Sequence, residues 1–175
     1  MRKFLSVLLL VFFFLMVFTA SVFAQSNYVL PYPSSMPGGF SYKIHLLYEN
    51  VSRYWYFGDF GQFDYSLKMS DKYLVEAKIL FEYKQYLLGY NALQKSDSYF
   101  LNIMSNLVRA EKKGKNILQK KAILNEASQK HIEVLEKIES ETPDTFVWQP
   151  EKELPTTLNI KKAILGSILL REKNL

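Results

Sequence analysis

Apolar side chains return every three or four residues between residues 40 and 141, a period that helices satisfy and strands do not. Four stretches share it. The first is expected over Phe40–Phe57, where Phe40, Ile44, Leu47, Val51 and Tyr54 draw one stripe, and Gly58, Asp59 and Gly61 end it. The second runs over Gln62–Leu88, with Leu67, Leu74, Ala77, Phe81 and Leu88 on one face, and Gly89 and Asn91 as its break. The third covers Ala92–Lys113 through Leu93, Ser96, Phe100, Ile103, Leu107 and Ala110, with Gly114 placed to terminate it. The fourth covers Asn116–Glu141 through Ile117, Leu124, Ser128, His131, Leu135 and Ile138, and Pro143 stops it. The joints are short, so consecutive helices should run antiparallel. The expected fold is an all-α antiparallel bundle, residues 40–141, of four main helices.

The flanks differ from this middle. Residues 25–39 read as an extended segment, because Pro31, Pro33 and Pro37 forbid a continuous helix and Gly38-Gly39 is a turn signal. Residues 142–175 begin with a proline-containing linker and close with a short helix over Thr156–Glu172. That helix has Leu158, Ala163, Ile164, Leu165, Ile168 and Leu169 as its apolar residues. Lys161, Lys162, Arg171 and Lys173 are expected on its polar side.

Residues 1–24 carry the three parts of an export signal: Arg2 and Lys3, then an apolar run from Phe4 to Phe18, then small residues up to Ala24. Cleavage after Ala24 would leave Gln25 first. The rival is an uncleaved anchor, since Phe4–Ala24 just reaches the roughly 20 residues that span a bilayer. Either way the rest of the chain is expected outside the cytoplasm, in the periplasm, at the cell surface or beyond.

Losing Arg2 and Lys3 lowers the formal charge by two, from +5 to +3, so the basic balance says little about nucleic acid, and no such partner is expected. The chain has no cysteine. That removes a lipoprotein anchor, disulfides, thiol catalysis and cysteine metal sites together. There is no phosphate-cradling glycine loop, no Gly-x-Ser-x-Gly elbow and no His-Glu-x-x-His. No catalytic residues and no cofactor are assigned, and the chain is expected not to be an enzyme.

The segment Tyr28–Pro33, with Leu30-Pro31-Tyr32-Pro33 at its heart, resembles the opening box of a family of exported bacterial helical proteins without an established function. That box typically reads Leu-Pro-Tyr-Pro-Gly; here Ser34 stands in the glycine's place, and Met36-Pro37 occupies the second pair's position. Asp59 lies in the turn, Asp71–Ala77 resembles the family's long-helix core with Tyr73 for an arginine, and Lys130–Glu136 resembles its later Lys-His segment. The resemblance spans roughly residues 28–140. It implies an envelope-associated helical domain and brings no site residues.

Among single residues, His131 falls on the apolar stripe of the fourth helix, one turn from Leu135. A structural histidine is the favoured reading, a metal or small-ligand site the alternative. The chain has two histidines, and His45 falls beside its helix's stripe. Tyr54, Trp55, Tyr56, Phe57, Phe60, Phe63 and Tyr65 form the densest aromatic run. Core packing is favoured for it, with some rings left exposed. Tyr32, Trp55, Tyr56 and Phe57 are the candidate interaction surface. The cluster Lys112, Lys113, Lys115, Lys120 and Lys121 reads as a solvated helix end more readily than as a lipid or cell-wall contact. The expectation is an exported, non-catalytic module that binds another envelope protein or a cell-surface component. It would meet the membrane only through an uncleaved N-terminus.

Overall fold

A computed structural model describes residues 26–33, 37, 39–152, 154–173 and 175. The expected export signal, residues 1–24, lies outside the described residues, as do Ser34–Met36 and Gly38 of the proline-containing segment. Among these residues, five helices and one small sheet follow in order. They are α1 (Phe40–Ser52), a 3-10 turn (Arg53–Trp55), α2 (Gly58–Glu82), α3 (Tyr86–Lys112), α4 (Leu118–Glu141), β1 (Thr145–Trp148), β2 (Thr156–Asn159) and α5 (Ile160–Glu172). The mainly helical architecture is the expected one. Among the described residues no helix is long and apolar enough to cross a membrane.

Backbone chemistry explains where the helices stop. At the end of α3, Gly114 adopts φ 73° and donates to Glu111 O at 2.8 Å, while Lys115 N–H reaches Ala110 O at 3.1 Å. This is a Schellman cap with glycine in its left-handed position. The end of α2 repeats the pattern with lysine in that seat. Lys84 sits at φ 59°, its N–H bonds Phe81 O at 2.9 Å, and Gln85 N–H bonds Leu80 O at 2.8 Å. So α2 closes at Glu82 rather than Leu88, and Gly89 lies inside α3 instead of breaking a helix. A Cβ on Gly89 would stand 3.0 Å from the Phe81 ring, so the missing side chain lets α2 and α3 approach closely.

The bundle is built from two antiparallel pairs. Ser70 meets Ser96 and Asp59 meets Lys113, which sets α2 against α3 in opposite directions. His131 meets Arg171 and Glu139 meets Lys161, which does the same for α4 and α5. Asp71–His131 and Asp64–Lys120 then lay α4 parallel to α2. One apolar cluster holds Leu74, Phe81, Leu93, Leu135, Ile160 and Ile164; another holds Phe63, Leu67, Phe100, Ile103, Leu107 and Leu124.

The stretch after α4 is not a plain linker. Thr145–Trp148 and Thr156–Asn159 pair as an antiparallel ladder, Phe146 opposite Leu158 and Trp148 opposite Thr156. β-branched and aromatic residues suit this pleated surface. Phe146 turns inward onto Tyr86, ring centroids 5.0 Å apart, and Leu158 is buried. The final helix therefore starts at Ile160, not Thr156.

Helix α1 reverses its expected orientation. Phe40 (79% exposed), Ile44, Leu47, Tyr48 and Val51 point to solvent. The opposite side faces the bundle: Tyr42 donates to Glu76 at 3.0 Å, and Glu49 pairs with Lys72 at 2.7 Å. Tyr65 caps this face by donating to Glu49 O at 3.2 Å. The helix is amphipathic as expected, but its apolar stripe is the outer one, while Tyr42, Leu46 and Glu49 are half-buried.

Candidate functional site

Between the two apolar clusters lies a layer of polar side chains drawn from four helices. Asp71 comes from α2, Ser96 and Asp97 from α3, His131 from α4, and Ser167 and Arg171 from α5. Arg171 and His131 are wholly buried. Arg171 was expected on the polar side of its helix, and the structure corrects this. Its guanidinium lies 4.8 Å from the Phe100 ring centre and donates to Asp97 at 2.7 Å, Ser167 O at 2.9 Å and Ser96 Oγ at 3.0 Å.

The fourth bond of Arg171 fixes the state of His131. Nε–H of Arg171 donates to His131 Nδ1 at 3.0 Å, and an arginine nitrogen can only donate. Nδ1 therefore bears the lone pair, and the ring proton sits on Nε2, donated to Asp71 Oδ1 at 2.7 Å. Burial, with Arg171 beside it, pushes the imidazole pKa down against the pull of Asp71, so the ring is neutral. The other oxygen of Asp71 accepts from the Tyr28 hydroxyl at 2.6 Å, which ties the extended N-terminal segment to the same layer. Burial beside Asp71 drives that phenol far above its ordinary value.

This arrangement bears on the metal alternative. Both ring nitrogens of His131 are engaged, so no lone pair is left for an ion. Among the described residues no three His, Asp or Glu side chains group as metal ligands. An Asp–His pair performs acid–base work when its far nitrogen faces a nucleophile. Here that nitrogen faces a guanidinium, which can give up no proton at ordinary pH. The layer holds four helices together.

The candidate interaction residues are scattered by comparison. Tyr32 is 96% exposed at the outer edge of the proline segment, while Leu30 packs into the core beside it. Trp55 (61%) and Phe57 (82%) are open, as is Tyr54. Tyr56 is half-buried against Tyr65, centroids 5.4 Å apart, and Phe63 and Tyr65 are core residues. The aromatic run thus divides: Tyr56, Phe60, Phe63 and Tyr65 turn toward the bundle, while Tyr54, Trp55 and Phe57 stay exposed beside the outward stripe of α1. His45 is exposed on α1.

The lysine cluster is also reassigned in part. Lys113 and Lys115 converge on Asp59 at 2.9 and 3.1 Å, with Arg109 at 3.7 Å, and Lys120 pairs with Asp64. The lysines beside Asp59 hold its carboxyl below the ordinary range. They clamp the start of α2 to the end of α3 rather than standing free.

Sequence reasoning missed Arg171, Asp97 and Asp71. A signal was present: Ser96, Ser128 and His131 occupied apolar-stripe positions, which marks a buried polar layer in need of partners. No family model, no curated protein and no solved structure matches the chain.

Proposed function

We propose that the chain is an exported, envelope-associated and non-catalytic helical module that binds another protein, with α1 as its recognition helix. The observation that carries this is the inverted amphipathicity of α1. Phe40, Ile44, Leu47 and Val51 stand at i, i+4, i+7 and i+11 on the solvent side, and Tyr54, Trp55 and Phe57 prolong the stripe. That spacing is how a helix lays anchors into an apolar groove of a partner. Aromatic and aliphatic residues without charge among them suit the centre of such an interface. A monomeric surface rarely leaves so many large apolar side chains side by side. Export rests on the basic, apolar and small-residue order of residues 1–24.

The test places a photo-crosslinking residue at Leu47 of the full chain in its native cells, with Lys121 as the control position. One discrete protein adduct from Leu47, absent from Lys121 and abolished by Ile44→Asp, is the expected result. Ile44 is exposed, so its replacement should leave stability within about 0.5 kcal/mol. Adducts to lipid only, or the same adducts from both positions, would overturn the reading.

A further inference from the structure

We infer that the cleft between α2 and α3, roofed by the 3-10 turn, is a binding site for a small hydroxylated organic anion carrying a carboxylate or phosphate. The cleft encloses about 230 Å³. Arg53, Tyr65, Ser66, Asn102, Asn106 and Arg109 are among its walls. None of the residues that line it is acidic or aliphatic.

Two arginines, Arg53 and Arg109, line the cleft with no acidic residue beside them in its walls. Among the described residues Arg53 has no ion-pair partner; Glu49, the acid near it in sequence, is taken by Lys72 at 2.7 Å. Arg109 approaches Asp59 at 3.7 Å, but Lys113 and Lys115 hold that same carboxylate at 2.9 and 3.1 Å. One negative charge thus serves three cations, and Arg109 keeps capacity to spare. Two arginines on a cleft whose lining holds no acid suit a carboxylate or phosphate in sign and in donor chemistry.

The rest of the site is built to hold those arginines and to read a polar body. Arg109 donates to Asn106 Oδ1, and the Asn106 amide reaches Ser66 Oγ at 3.5 Å. Asn106 and Ser66 are both more than nine-tenths buried, so the floor of the cleft is fixed. Gln62 donates to Tyr56 O at 2.6 Å and to Arg53 O at 3.3 Å, pinning the turn that carries Arg53 over the opening. Tyr65 and Tyr99 pack edge to face at 6.0 Å, and Tyr99 stacks on Tyr73 at 5.7 Å, which makes that wall rigid. Asn102 lines the cleft and makes no side-chain hydrogen bond among the described residues, which leaves its amide for hydroxyl groups. The volume falls below the roughly 300 Å³ at which drug-sized pockets begin, so the occupant is about one sugar ring in scale.

This inference does not rest on a partner for α1. Titration calorimetry of the full chain with glucuronate, glucose 6-phosphate and neutral glucose tests it. At least one charged sugar should bind tenfold or more tighter than glucose, which identifies whether carboxylate or phosphate is preferred. Arg53→Gln should erase that advantage while leaving the circular dichroism spectrum unchanged, since the Arg53 side chain makes no ion pair among the described residues. Asn102→Ala, also exposed, should weaken the charged sugar several-fold. The inference fails if neither charged sugar outbinds glucose, or if the advantage survives in Arg53→Gln.

Discussion

The lone pair that His131 presents to Arg171 makes the fold sensitive to acid. Burial and the guanidinium hold the imidazole below its ordinary pKa of 6.5, so the folded chain resists a proton that the unfolded chain accepts. The stability contributed by the neutral ring is complete above about pH 6.5 and is lost as pH falls toward the depressed folded value. His131→Asn removes this dependence. It should cost about 1–3 kcal/mol at pH 7, because the polar layer loses well-placed partners. It should also flatten the decline between pH 7 and pH 5. Thermal unfolding of both proteins at pH 7, 6 and 5 checks this, and parallel curves would count against it.

At the level of elements, close helix contact outweighs helix propensity. Gly89 sits within α3, where alanine would ordinarily be favoured by about 1 kcal/mol. An alanine Cβ would lie 3.0 Å from the Phe81 ring, and Phe81 is fixed in the core. Overpacking of this kind costs about 1–3 kcal/mol, so Gly89→Ala should be destabilised overall. Urea denaturation should show the loss, and a second change, Phe81→Leu, should recover part of it.

The same elements show what a sequence discloses. Periodicity located the helices, because each stripe repeats over several turns and the apolar faces of α2, α3 and α4 do meet. It could not find the end of α2, since Lys84 adopts a left-handed conformation that glycine would have advertised. Four-residue strands such as Thr145–Trp148 are too short for alternation to register. For α1 the stripe was readable but its direction was not: Phe40, Ile44 and Leu47 announce a face to be covered without saying by what. The cleft around Arg53 and Asn106 was invisible, because its walls lie up to 56 residues apart and share no local pattern.

For the whole molecule, α5 matters beyond its thirteen residues. Breaking a buried ion pair by removing one partner costs about 3–5 kcal/mol. Domains of this size hold only about 5–15 kcal/mol in reserve. A chain ending at Asn159 keeps α1–α4 but leaves Asp97 and His131 facing an empty seat, and it uncovers the core contacts of Ile160 and Ile164. It should keep much of its helical circular dichroism while losing its near-ultraviolet signal and its cooperative thermal transition. A sharp transition within a few degrees of the full chain would contradict this.

Arg171 also sets a timetable. It follows His131 by 40 residues and Asp97 by 74. At about 5–20 residues per second of synthesis, roughly 2–8 s separate the appearance of His131 from that of Arg171. During those seconds a growing chain holds its acids and its imidazole without the cation that joins them.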